Sequence, residues 1–61
     1  MIYEGGDIDD ITRENIVAVV PLPNETLITF RVHGSEGQRT YRFRNHINEI
    51  IETVGELAEF L

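Results

Sequence analysis

The absence of cysteine constrains this chain more than any motif does, because the chain has only 61 residues. A domain of this size buries about 60% of the surface that its unfolded form exposes. Small domains therefore usually rely on disulfides, a structural metal or self-association. Disulfides are excluded here, and two histidines without thiols cannot complete a tetrahedral zinc site. We therefore expect one domain, residues 1–61, that has no cofactor or metal and associates with itself.

Three segments have the patterns of β-strands. Residues 16–20 are apolar at every position, which is typical of a strand covered on both faces. Residues 26–33 and 40–44 alternate instead, and glycines bound the loop at residues 34–37 between them. This loop predicts a hairpin that pairs Phe30 with Tyr41, Ile28 with Phe43 and Arg31 with Thr40. A one-residue slip would mix the apolar and polar faces.

The C-terminal segment has the pattern of an amphipathic helix that begins after Asn45, a residue that suits the N-cap position. One apolar stripe follows helical spacing, and it comprises Ile47, Ile50, Ile51, Val54, Leu57, Ala58 and Leu61. The opposite stripe is acidic and comprises Glu49, Glu52, Glu56 and Glu59. Gly55 lies at the edge of the apolar stripe. Phe60 lies outside it, where it is available to a partner.

These elements predict an α+β fold. It is a three-stranded antiparallel β-meander followed by one amphipathic helix, which packs on the sheet face of Ile28, Phe30, Tyr41 and Phe43. Residues 1–6 form either a flexible arm or a short fourth strand, because Gly5-Gly6 interrupts the pattern. Residues 7–15 form a helical or 3₁₀ turn that Asp7 caps.

In such a meander, the apolar strand at residues 16–20 lies at a sheet edge, where exposed apolar strands aggregate unless something covers them. Either Ile2-Tyr3 or a second copy of the chain could pair with it. We favour the second copy, because the small core also needs the additional burial. The predicted interface comprises Ile16, Val17, Val19 and Val20.

The net charge of −6 is unevenly distributed: residues 1–14 carry −4, residues 26–44 carry +3 and residues 45–61 carry −4. The basic side chains project from the outer sheet face and form one candidate ligand or partner face, which comprises Arg31, His33, Arg42 and Arg44. The glutamate stripe is a candidate acidic partner face. The overall charge argues against nucleic-acid binding.

Catalytic constellations are absent from the sequence. Ser35 is the only serine and lacks a glycine-flanked elbow, and there is no lysine for Schiff-base chemistry. The acidic run from Asp7 to Asp10 begins like a calcium loop, but an alanine, Ala18, stands where the bidentate glutamate belongs. His33 and His46 are better interpreted as polar surface than as metal ligands. We therefore expect no enzyme activity.

Residues 11–54 resemble the core of FlbD-type flagellar and swarming motility proteins. The resemblance rests on the stretch from Ile11 to Ile16, followed by the proline-led strand from Pro23 to Phe30. The opening "T-R-L-N-G" segment of those proteins is missing, and the glycine turn is longer. KTSC-type domains and LytTR-type DNA-binding domains share the same order of strands and helix. The resemblance thus implies a strand–strand–helix unit and assigns no activity.

The function that the sequence favours is a small, acidic, cytoplasmic, homo-oligomeric protein-interaction module, acting as a regulator or inhibitor of a larger partner. One alternative is a nucleic-acid-binding module that uses Arg31, Arg42 and Arg44 on the outer sheet face. Another is an acidic mimic of nucleic acid that acts on a host protein. No apolar run approaches the roughly 20 residues of a membrane span, so we expect no membrane partner.

Overall fold

The computed structural model describes residues 1–32 and 37–61, and it contains a four-stranded mixed sheet. The strands are β1 (Ile2–Glu4), β2 (Ile16–Pro21), β3 (Thr26–Arg31) and β4 (Gln38–Phe43), arranged in the order β1-β4-β3-β2. β2, β3 and β4 form the antiparallel meander, whereas β1 lies parallel to β4. The predicted α+β class is confirmed, and the sheet is mixed because of β1.

β1 does not cover the apolar strand, so that alternative for Ile2-Tyr3 is wrong. Ile2 lies opposite Thr40, Tyr3 opposite Tyr41 and Glu4 opposite Arg42, at the far side of the sheet from β2. Contacts between aromatic rings and between charged groups explain why β1 pairs with β4 rather than with β2. The Tyr3 and Tyr41 ring centroids are 5.6 Å apart, and Glu4 accepts a hydrogen bond from Arg42. β2 therefore remains an edge strand among the described residues.

The β3–β4 register differs from the predicted one by two residues. Ile28 lies opposite Tyr41, Thr26 opposite Phe43 and Arg31 opposite Gln38. Because strand side chains alternate with period two, a two-residue shift keeps every side chain on its predicted face. The apolar pattern cannot detect such a shift. Beyond β3, the Val32 N–H donates to the Gly37 carbonyl. His33 and residues 34–36 of the predicted loop lie outside the described residues.

β2 contains a β-bulge, because Ile16 pairs with Phe30 and Ala18 already pairs with Thr29. Val17 is the additional residue in the bulge, and beyond it the alternation restarts. Ile16 is buried and Val19 packs against the core, whereas Ala18 and Val20 are exposed. The single chain thus covers one face of β2, and the expectation of cover on both faces is wrong within one copy.

The C-terminal segment is two helices rather than one. The α-helix α1 (Ile47–Thr53) ends at Val54, whose φ of −124° leaves helical geometry, and a 3₁₀ helix (Gly55–Phe60) follows. Gly55 explains the break, because glycine costs a helix interior about 1 kcal/mol relative to alanine. The N-cap is His46 rather than Asn45: its Nδ1 accepts from the Asn48 N–H at 3.1 Å.

Both helices pack on the predicted sheet face. The buried core comprises Ile11, Ile16, Ile28, Phe43, Ile50 and Leu57. Phe60 also packs against this core, and the Arg13 guanidinium lies 5.9 Å from its ring centroid, so Phe60 is not a free contact residue. Residues 7–15 contribute Ile11 to this core and form two 3₁₀ turns, Ile8–Asp10 and Arg13–Asn15, the first of which Asp7 caps.

Among the described residues, no helix has the length and apolar character needed to cross a membrane.

Candidate functional site

We call the sheet face opposite the helices the outer sheet face. None of the described side chains on this face is buried. Residues that pair across neighbouring strands share a face of the sheet, so the register places two rows of side chains across the outer sheet face. The first row comprises Ile2, Thr40, Thr29 and Ala18, and the second comprises Glu4, Arg42, Leu27 and Val20. Two large exposed apolar side chains, Ile2 (50%) and Val20 (48%), lie on opposite edges of it. The outer sheet face is therefore an available contact surface.

Glu4 holds the two arginines at one end of this face. Its Oε1 accepts from the Arg42 guanidinium at 2.7 Å and from the Arg44 guanidinium at 3.3 Å. Both pairs lie at the surface, where ion pairs contribute little each. Together they attach β1 to β4 beyond its three backbone pairings. Sequence reasoning missed Glu4, because residues 1–6 gave no signal of where they would pair.

The predicted arginine face is only half assembled. Arg31 lies opposite Gln38, four residues along β4 from Arg42, which separates the two arginines by about 13 Å at the rise of a strand. His33 lies outside the described residues. The structure thus brings together Arg42 and Arg44, leaves Arg31 apart, and places a carboxylate between the pair and any incoming anion.

The Glu4–Arg42–Arg44 cluster perturbs the protonation of its own members. Hydrogen bonds from Arg42 and then Arg44 lower the pKa of Glu4 below its usual value of 4.5, against a smaller opposing effect of desolvation. The same contact with Glu4 raises the pKa of Arg42. Since the folded-state pKa of Glu4 is depressed, its stabilising contribution is present above the unfolded-state pKa. That contribution disappears as the pH falls through the folded-state pKa.

We expect the Glu4 carboxyl group to titrate below 4.5 in an NMR pH titration of the folded protein. Arg42→Ala should move its pKa back toward the usual value, because the largest cause of the shift is removed. Arg31→Ala removes a cation from the far end of the face and serves as the control. An unchanged Glu4 pKa in Arg42→Ala would show that β1 is not held in this way.

The predicted interface residues on β2 have different environments. Ile16 belongs to the core and Val19 packs against it, so their side chains already have partners within the chain. Val17 is half-buried and Val20 is exposed. What β2 offers to a second copy is its open backbone edge together with Val20, Ala18 and the bulge at Val17.

The acidic stripe is divided between two helices. Glu49 and Glu52 lie on α1, and Glu56 and Glu59 lie on the 3₁₀ helix. Glu59 is paired with Arg13 at 2.6 Å, and Glu49 accepts from the Asn45 amide at 3.4 Å. Glu52 and Glu56 make no ion pair or side-chain hydrogen bond with any residue that the structure describes. Among the described residues, these two carboxylates are the unpaired members of the acidic stripe.

A metal-binding group of three or more His, Cys, Asp or Glu side chains does not occur within residues 1–32 and 37–61. Comparison with protein-family models, curated proteins and solved structures finds no match to this chain.

Proposed function

We propose that this protein is a non-enzymatic, self-associating protein-interaction module, and that β2 is the strand through which two copies pair. The observation that supports this most strongly is the open edge of β2, which is apolar and carries no charged side chain from Ile16 to Pro21. Natural edge strands are protected by charged side chains, prolines, β-bulges or a covering segment. β2 has a bulge and ends at Pro21, but it has no charged side chain, and residues 18–20 remain open for pairing.

Charge favours the same edge. Each copy carries −6, so two copies repel each other over most of their surfaces. β2 carries no charged side chain, so two copies that pair along it bring no like charges together within the ladder.

The bulge and Pro21 limit how much of the edge can pair. Three residues, 18–20, lie between them, and proline lacks the N–H that a ladder needs. So short a ladder requires side-chain burial as well. The exposed Ala18 and Val20, with Leu27 beside them, supply apolar area on the outer sheet face.

We expect light scattering to report at least twice the 7.0 kDa mass of a single chain at micromolar concentration. Val20→Lys should shift the protein to a monomer, because it places a charge at the centre of the proposed contact. Ala58→Lys makes the same change in net charge at an exposed site on the 3₁₀ helix and should leave the assembly intact. A monomeric mass for the unmodified protein would overturn the proposal.

The module would act on a larger partner as a regulator or inhibitor, in the cytoplasm. Glu52 and Glu56 favour a basic surface on that partner, because they are the acidic side chains of the helical stripe that have neither an ion pair nor a side-chain hydrogen bond with a described residue. An acidic mimic of nucleic acid is one form that this role could take.

Nucleic-acid binding through Arg31, Arg42 and Arg44 is the alternative, and we expect none at physiological salt. Glu4 already engages Arg42 and Arg44, and the net charge of −6 repels a polyanion. Fluorescence anisotropy with single- and double-stranded DNA measures this. Micromolar binding that weakens with a log–log salt slope of about −0.7 per phosphate, and that disappears in an Arg42/Arg44 double alanine variant, would favour the alternative.

A further inference from the structure

A cleft of about 330 Å³ opens on the helical side of the molecule, between the sheet and the segment that leads to β2. Its sheet wall contains three aromatic side chains, Phe30, Tyr41 and Phe43. The opposite wall is polar and carries Asp7, Asp10, Thr12 and Asn15, with Gly6 and Ile11 between them. A concave site with an apolar wall and a few polar groups is the usual form of a ligand site.

The aromatic wall is a fixed arrangement of rings. Phe30 meets Tyr41 edge-on at a centroid distance of 5.6 Å and meets Phe43 edge-on at 6.3 Å. Phe30 and Tyr41 are half-buried, so part of each ring remains accessible. The face of an aromatic ring carries partial negative charge and attracts cations.

The polar wall carries two carboxylates without counter-ions. Asp7 and Asp10 are exposed and form no ion pair with a described residue. Asp7 accepts a hydrogen bond from the Asp9 N–H, which leaves most of its acceptor capacity free. Arg31 also borders the cleft, but strand alternation directs its side chain to the outer sheet face, opposite to Phe30.

We propose that this cleft binds the guanidinium group of an arginine side chain from a partner protein, which rests on the protein-interaction role proposed above. A guanidinium can stack on an aromatic ring while it donates a forked pair of hydrogen bonds to a carboxylate. The volume suits one such side chain. The chain already places a guanidinium over an aromatic ring twice: Arg39 lies 5.3 Å from the Tyr3 ring centroid and Arg13 lies 5.9 Å from that of Phe60.

The test is an amide NMR titration with the peptide acetyl-Gly-Arg-Gly-amide, and the matched control replaces its arginine with citrulline, which has the same shape and no charge. Shifts should concentrate at Gly6, Asp7, Asp10, Asn15 and Tyr41 for the arginine peptide alone. Asp10→Asn should weaken binding about threefold, the effect of an exposed ion pair. Asp9→Asn makes the same charge change in the same turn, outside the cleft lining, and should bind like the unmodified protein.

Three outcomes would overturn the proposal: no shifts at the cleft residues at millimolar peptide, equal binding of the citrulline peptide, or equal losses in Asp9→Asn and Asp10→Asn. The first outcome would show that the cleft does not bind the peptide, and the second that it does not recognise the positive charge. The third would show that the loss of binding reflects net charge rather than a contact with Asp10. Light scattering on the same samples reports self-association separately. If the protein is a dimer but does not bind the arginine peptide, the proposal of pairing through β2 stands and only the proposal of a guanidinium site is overturned.

Discussion

Replacing Phe43 with alanine should leave little or no folded protein. Phe43 is 4% exposed, belongs to the buried core, and contacts Phe30 edge-on. Removing a buried phenylalanine ring usually costs about 3–5 kcal/mol. A core in a domain of fewer than about 70 residues rarely supplies more than about 3–5 kcal/mol in total. The far-UV circular dichroism of Phe43→Ala should therefore resemble that of an unfolded chain.

Three further variants make this result quantitative. Phe43→Leu retains an apolar side chain and should fold, with a urea midpoint below that of the unmodified protein. This variant gives a measurable loss of stability even if Phe43→Ala does not fold. Glu52→Ala changes an exposed side chain and should alter the free energy of unfolding by less than about 0.5 kcal/mol. Equal midpoints for Phe43→Ala and Glu52→Ala would contradict the core described here. Phe30→Ala should cost less than Phe43→Ala, because Phe30 is only half-buried.

Gly5→Ala should destabilise the protein and loosen β1, whereas Gly6→Ala should not. A Cβ atom on Gly5 would lie 2.6 Å from Cδ2 and Cε2 of the Phe43 ring, closer than real side chains pack. The Gly5 N–H also donates to the Arg42 carbonyl at 2.8 Å, which fixes the backbone in that position. The ring or the strand must therefore move, and such overpacking costs about 1–3 kcal/mol.

Gly6 is the matched control, since a Cβ there meets nothing within 4 Å. Alanine restricts the unfolded chain more than glycine does, so Gly6→Ala should be neutral or stabilise by up to about 1 kcal/mol. Urea denaturation compares the two variants, and hydrogen exchange at the Tyr3 and Gly5 amides reports on β1. Equal stability of both variants would show that Gly5 does not lie against Phe43.

The sequence predicted which face each side chain occupies, because that information is local. Alternation in β3 and β4 placed Ile28, Tyr41 and Phe43 toward the helices, and the structure confirms it. The apolar positions 47, 50 and 57 were identified in the same way, although Gly55 divides the helix that carries them. Arg42 and Arg44 were likewise assigned correctly to one face.

The candidate surfaces depended on contacts that no local pattern encodes. The parallel pairing of β1 joins Glu4 to Arg42 across 38 positions of sequence, and three residues of strand pattern do not identify a partner. The cleft combines the segment around Asp7 and Asp10 with rings from β3 and β4. Ile11 belongs to both the cleft lining and the buried core, so the cleft exists only in the folded chain.

Period and propensity thus determined the α+β class, the faces of the strands and the helical stripe, since each depends on residues within a few positions of one another. Tertiary structure alone decided the two-residue shift between β3 and β4, the bulge in β2 and the position of β1. A shift by two residues buries the same apolar side chains, so the apolar pattern does not distinguish the two registers. The position of β1 followed from ring packing with Tyr41 and from ion pairs with Arg42 and Arg44, which exist only in the folded chain.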